Sequence, residues 1–255
     1  MIAAAGLQCG FGEPLDIEML DELRGFGFTI VRLDLQRVDD VTTADLAQQV
    51  VDAGLQPLCI IRRVSQMQYL PTGSLMELGN EPDLEHEGWT VDEYVQLAAE
   101  CVEMAVANNF RLYLGAVSNL NARGFRFLQQ MPWKRYPSTI CCSIHRYPDG
   151  DSPLNPHIGW TSRADEVATL KHIVGARPLA CTEFGYHDDA TGWTEELVAE
   201  HSAWERRFFS EQGFEICSGY QVNDGPSAEP IDHYGYRRLD TGAWKPVAHA
   251  FAHAV

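Results

Sequence analysis

The chain has 255 residues, is 45% hydrophobic and 22% charged, and carries a formal net charge of −17 with a sequence pI near 4.8. That is ample apolar material for a full core without disulfide staples, and so acidic a surface repels phosphate backbones and anionic membranes, which argues against nucleic-acid binding. No stretch approaches the roughly 20 apolar residues of a membrane span, and the seven cysteines are odd in number and lack metal-ligand spacing, so buried free thiols are expected.

Read from the start, Met1-Ile2-Ala3-Ala4-Ala5 lacks the charged and long apolar regions of a secretory signal. The expected location is therefore either cytoplasmic or that of a mature secreted domain. A first apolar run covers residues 2–9, and Gly10-Phe11-Gly12 then leads into Glu13-Pro14 with no third glycine, unlike a dinucleotide-binding turn. Met19, Leu20, Leu23 and Phe26 mark a helix, with Gly25 and Gly27 at its end, before a second strand over 28–35. Gly54 precedes a third strand over 55–61. Only a dozen residues then separate Ile61 from Ser74, near the minimum for a parallel crossover, so the third helix shrinks to about 65–70 before Pro71-Thr72-Gly73 turns the chain.

The fourth strand spans 74–79. Thr90 and Glu93 then form a capping box ahead of Val91, Tyr94, Val95, Ala98, Cys101, Val102 and Ala105, a stripe of period 3.6. Strands follow at 110–116, 139–145, 178–184 and 215–221, with Gly175 and Gly213 at helix-to-strand turns. A helix on Leu197, His201, Trp204 and Phe208 lies between the last two, and one on Val247, Ala248 and Phe251 closes the chain. The strands are near-continuous in apolar residues, as expected of parallel strands covered on both faces. Eight β/α repeats predict an α/β protein with a single (β/α)₈ TIM-barrel domain over 1–255 and a shortened third crossover.

Catalytic groups of such a barrel collect at the C-terminal ends of its strands. The polar residues there are Gln8, Arg32, Asp34, Arg62, Arg63, Asn80, Glu81, Ser118, Asn119, His145, Tyr147, Glu183, Gln221, Asn223 and Asp224. Two strand ends, the fourth and the seventh, carry a glutamate, and those strands face each other across the barrel mouth.

Asn80-Glu81-Pro82, His145-Arg146-Tyr147, Glu183 within Thr182-Glu183-Phe184-Gly185, Arg32 after Val31, and Ile231 to Gly235 leading into the last helix resemble the clan A glycoside hydrolases. These are retaining enzymes on a (β/α)₈ barrel, and the resemblance spans essentially the whole chain. It implies that Glu81 is the general acid/base and Glu183 the nucleophile of an endo-acting β-glycosidase on an oligo- or polysaccharide. It also implies that Asn80 meets the sugar 2-hydroxyl, Tyr147 and Arg32 support the Glu183 carboxylate, and His145 binds substrate or orders the acid/base side. The tryptophan platform usual in the clan after strand eight is replaced by Gly219-Tyr220-Gln221-Val222-Asn223, leaving Tyr220, Gln221 or a nearby tryptophan to serve. Trp160, in the loop after strand six, is the tryptophan expected to overhang the cleft.

Several residues carry plainer expectations. Glu77 shares strand parity with Glu81 and fits a structural salt bridge, and Arg146 a structural role. Arg62-Arg63 fits neutralisation of nearby acids better than recognition of an acidic sugar. The histidines lack the spacing of a helical zinc site, so neither metal nor cofactor is expected, and the expected partner is a carbohydrate substrate bound by a monomer. The alternative is a catalytically silent barrel that binds carbohydrate or a protein.

Overall fold

The computed structural model describes residues 2–9, 15–148, 152–188, 193–225 and 233–254. The Gly10–Pro14 turn and Ile231-Asp232 lie outside the described residues. Eight strands, β1 (Ala4–Gln8), β2 (Ile30–Asp34), β3 (Gln56–Ile61), β4 (Leu75–Leu78), β5 (Arg111–Val117), β6 (Cys141–Arg146), β7 (Leu179–Phe184) and β8 (Ile216–Gly219), close in sequence order into a barrel. All pairs are parallel, and β1 returns to β8 through the register of Ala4 with Ile216. Outside them lie α1 (Ile17–Phe26), α2 (Asp40–Asp52), α3 (Val64–Tyr69), α4 (Val91–Asn108), α5 (Ala122–Gln130), α6 (Arg163–Val174), α7 (Glu195–Glu211) and α8 (Pro246–Ala252). This is the (β/α)₈ barrel expected from the sequence, and α3 is the short helix of 6 residues that the brief crossover allows. No helix among the described residues is long and apolar enough to cross a membrane.

The helices begin where their caps dictate. Thr90 accepts from the Glu93 amide while the Glu93 carboxylate reaches back to the Thr90 amide, satisfying two donors that α4 would otherwise leave bare. On α7 the buried stripe is Val198, Ala199, Ser202, Ala203, Glu205, Arg206 and Phe209, whereas Leu197, His201, Trp204 and Phe208 are only half-buried. The apolar periodicity thus places the buried face off by a residue. The physical reason is that two charged side chains turn inward: Glu205 pairs with Arg163 at 2.6 Å and accepts from the Tyr186 hydroxyl at 2.9 Å. Arg206 donates to the carbonyls of Ala3, Phe251 and Ala252. All seven cysteines are buried and free.

Two cores result. The larger fills the space between strands and helices. The smaller is a plug inside the barrel, made of Ile30, Leu58, Leu75, Tyr113, Cys141, Ala180 and Ile216 packed with Ala4, one residue from each strand. Tyr113 and Arg111 both engage Glu215 at its lower edge. One inward position further along, the interior turns small or polar on every strand but β3, with Gly6, Arg32, Glu77, Gly115, Ser143, Thr182 and Ser218 against Ile60. Gly6 is required there, since a Cβ would sit 2.9 Å from Ser218 Oγ. The apolar plug therefore seals the N-terminal end and lifts the polar interior toward the C-terminal mouth.

Candidate active site

A cavity of about 400 Å³ opens at that mouth, lined by residues including Gln8, Asp34, Asn80, Glu81, Tyr147 and Glu183. Arg32, fully buried on β2, organises its floor. Its guanidinium donates from Nε to Glu77 at 2.9 Å, from Nη2 to Asn80 Oδ1 at 2.9 Å, and from Nη1 to Gln8 and Glu183. A rigid fork of donors is what lets one side chain hold two carboxylates and an amide together. Glu77 is a buried structural partner of Arg32, 2.8 Å away and with no exposed surface.

Glu183 and Thr182 both reach this network although they are neighbours in β7, where alternation would send one outward. The register between β6 and β7 slips here, Ile144 pairing with Cys181 and His145 with Glu183, and such a bulge re-aims one side chain. Thr182 Oγ1 donates to Glu77 at 2.5 Å, and Glu183 takes the Tyr147 hydroxyl at 2.5 Å on its other oxygen. Burial alone would raise the Glu183 pKa. The electrostatic effect of His145, the Arg32 charge and the Tyr147 hydroxyl outweigh it and hold the carboxyl below its ordinary range. Burial and the Glu183 charge push the Tyr147 phenol well up, so it stays a donor.

Glu81 stands just past β4 on strained backbone. Its φ is 43°, a left-handed conformation that costs a residue with a side chain on the order of 1–3 kcal/mol. The conformation is held by its amide donating to Ala116 O at 3.0 Å and its carbonyl accepting from Leu84 at 2.8 Å. Gly79 before it has φ 67°, with Trp89 and Tyr94 at 3.4 Å from where a Cβ would lie, so glycine fits both the turn and the packing. The Glu81 carboxylate meets His145 Nδ1 at 3.1 Å.

The other ring nitrogen settles the tautomer. His145 Nε2 lies 3.0 Å from Arg32 Nη2, and a guanidinium can only donate. Nε2 is therefore the acceptor, and Nδ1 carries the hydrogen aimed at Glu81 Oε1. Burial works against the imidazolium, while Glu183 and Glu81 favour it and raise the pKa on balance. Asn80 is oriented by the same logic: its Oδ1 takes Arg32, so its amide N–H faces Glu87.

Glu81, His145 and Glu183 offer one ligand atom each within 4.8 Å of one another. Glu183 is already engaged by Arg32 and Tyr147, and His145 Nδ1 by Glu81. A cation there would sit against the Arg32 charge, so the trio reads as proton-handling groups rather than a metal centre.

The remaining expected residues divide. Tyr220 lines the cavity, edge-on to Tyr147 at 6.4 Å. Gln221 follows it through a cis peptide bond, and its backbone pairs with Tyr234 and Tyr236; its side chain is not part of the cavity wall. The Trp160 ring packs on Phe125 of α5 at 4.8 Å and is not among the residues that line this cavity. Arg62 lies over the Trp89 ring and donates to the Glu87 carbonyl, and Arg63 pairs with Asp40. Arg146 is buried against Asn155 O and Glu166. Sequence reasoning missed Tyr234 as a wall residue and the Asp83–Arg123 pair beside Ser118. Only their nearness to strand ends marked them.

No protein-family model matches the sequence, and no curated protein does. Solved structures do match. A family 39 glycoside hydrolase from the gut symbiont Bacteroides cellulosilyticus superposes with a TM-score of 0.71 at 17% identity, over 98% of this chain and 63% of that one, so this chain spans less than two thirds of its length. A GH5-4 broad-specificity endoglucanase from Ruminococcus flavefaciens gives 0.69 at 16% identity, over 98% and 94%. A family 17 β-1,3-glucanosyltransferase from Rhizomucor miehei gives 0.69 at 10%, over 95% of each chain. The chain has the (β/α)₈ fold of the glycoside hydrolases. At these identities the likeness concerns the barrel itself and leaves the chemistry to the site.

Proposed function

We propose that this protein is a retaining glycoside hydrolase that cleaves a β-glycosidic bond of an oligo- or polysaccharide, with Glu81 as general acid/base and Glu183 as nucleophile. One observation carries the reading: two carboxylates in unlike surroundings face one cavity, with an oxygen of each within 4.8 Å of the other. A retaining pair stands about 5–5.5 Å apart.

Glu183, ionised by its neighbours, attacks the anomeric carbon while Glu81 gives its proton to the departing oxygen. The C–O bond breaks and a glycosyl ester forms on Glu183. The His145 Nδ1–H occupies Glu81 Oε1, which leaves Oε2 as the oxygen that carries the transferable proton. Once Glu183 is esterified its charge is gone, and Glu81, now ionised, takes a proton from water as that water attacks the ester. With its Oδ1 taken by Arg32 and one N–H facing Glu87, Asn80 keeps its second N–H to donate to a sugar hydroxyl.

The test is hydrolysis of a panel of β-linked oligosaccharides, with the anomer of the first product read by NMR and a 2-deoxy-2-fluoro glycoside used to trap the ester. Retention and a sugar adduct on Glu183 are expected. An inverted first product would refute the mechanism. Failure of any glycan to turn over, with wild type and Glu183→Ala binding sugar equally, would leave a silent carbohydrate-binding barrel.

A further inference from the structure

The charges around the cavity are not balanced. Beneath it Arg32 faces both Glu77 and Glu183. At its rim Arg123 is taken by Asp83. Arg62 and Arg63 are committed to Glu87 O and Asp40. Asp34, on the inward face of β2 two residues past Arg32, lines the cavity and is half-buried. Among the described residues its oxygens accept from Gln36 alone, at 3.1 and 3.4 Å, and no lysine or arginine pairs with it directly, although its charge reaches Arg32. Glu87, held by the Asn80 amide and close enough to Asp34 and Glu81 to feel their charge, adds to the same side.

A sugar carboxylate entering beside Asp34 would meet acceptors and like charge, and the arginine on the cavity wall, Arg123, already spends its Nε and Nη2 on Asp83 and Ser118. A hydroxyl pair or an ammonium would instead complete the open valences of Asp34. We infer that the cleft takes non-anionic glycans whose hydroxyl or ammonium donates to Asp34, and rejects uronic acids, with Asp34 as the specificity-determining residue. The inference rests on the glycosidase reading for its substrate but not for its readout, since binding alone expresses it. It also decides the role of the tandem arginines, which serve the loops and not the sugar.

The experiment compares β-1,4-linked tetramers of glucose, glucosamine and glucuronic acid, by kcat/KM on the wild type and by calorimetry on Glu81→Gln, which binds without turnover. The glucuronic tetramer should trail the glucose tetramer on the order of tenfold or more in both measurements, about 1.4 kcal/mol, and the deficit should shrink with added salt. Asp34→Asn should narrow that gap. If an ammonium is the donor, glucosamine leads in the wild type and loses its lead in Asp34→Asn; if a hydroxyl is, glucose leads. Glucuronic tetramer bound or cleaved as well as glucose, or ratios unchanged in Asp34→Asn, overturns the inference. The expected binding order without any turnover supports it while overturning the hydrolase assignment alone.

Discussion

Replacing Arg32 with methionine tests whether one guanidinium holds the site together. The substitution keeps much of the side-chain volume and removes the guanidinium donors to Gln8, Glu77, Asn80, His145 and Glu183, leaving Thr182 on Glu77 and Tyr147 on Glu183. Glu77 is fully buried and the Glu183 side chain is 8% exposed, so two carboxylates would face each other with no cation. Removing one partner of a buried pair costs roughly 3–5 kcal/mol, and in a chain of this size each kcal/mol lowers Tm by about 2–4 °C. Arg32→Met should therefore melt roughly 6–20 °C lower at neutral pH.

The loss should also depend on pH. In the wild type the Glu183 pKa is depressed, so its stabilising contribution is present above the unfolded carboxylate pKa and fades as pH falls through the folded one. In the variant the unpaired carboxylates have raised pKa values and gain from protonation as pH falls. The gap between the two proteins should close on going from neutral toward acid. Thermal and urea unfolding at several pH values measure it. A variant within about 1 kcal/mol of wild type, or a gap that does not vary with pH, would refute the idea that Arg32 is the common counter-ion.

Tyr147→Phe removes the hydroxyl that donates to Glu183 at 2.5 Å. A hydrogen bond to a charged group is worth roughly 1.5–3 kcal/mol, so the Glu183 pKa should rise and the acid limb of the kcat/KM profile move up by about 1–2 pH units. An unmoved limb would separate Tyr147 from the nucleophile. Glu205→Ala leaves buried Arg163 with Glu166 alone, at 3.1 Å, and takes the acceptor from the Tyr186 hydroxyl; it should cost roughly 1–3 kcal/mol while kcat of the folded fraction holds. Trp160→Ala should lower stability by about 3 kcal/mol through lost packing on Phe125 with KM unchanged; a rise in KM would return that ring to the sugar.

The barrel and the two glutamates at its mouth were legible because both rest on signals local to the chain. Strands buried on two faces read as unbroken apolar runs, and Glu81 and Glu183 sit where such runs stop. What resisted reading depends on contacts distant in sequence. The inward turn of Glu205 and Arg206 on α7 is set by Arg163 of α6 and by backbone carbonyls of residues 3, 251 and 252, none of which alters the periodicity of α7 itself. The slip that brings Thr182 and Glu183 to one network leaves no mark in composition. A long loop after β6 points Trp160 toward the cleft, while the contact of its ring with Phe125 depends on α5, which the loop's own sequence does not show.

Because Arg32 touches Gln8, Glu77, Asn80, His145 and Glu183 at once, substitutions among these residues are not independent; each changes what the guanidinium can still satisfy. The floor of the site is therefore epistatic and resists stepwise drift. Asp34, Ser118, Asn119 and Tyr220 line the same cavity without a hydrogen bond to that arginine. Their substitution alters what the wall offers a ligand and leaves the floor intact. A lineage built on this barrel can thus change which ligand its wall admits one residue at a time, while the floor beneath stays fixed as a block.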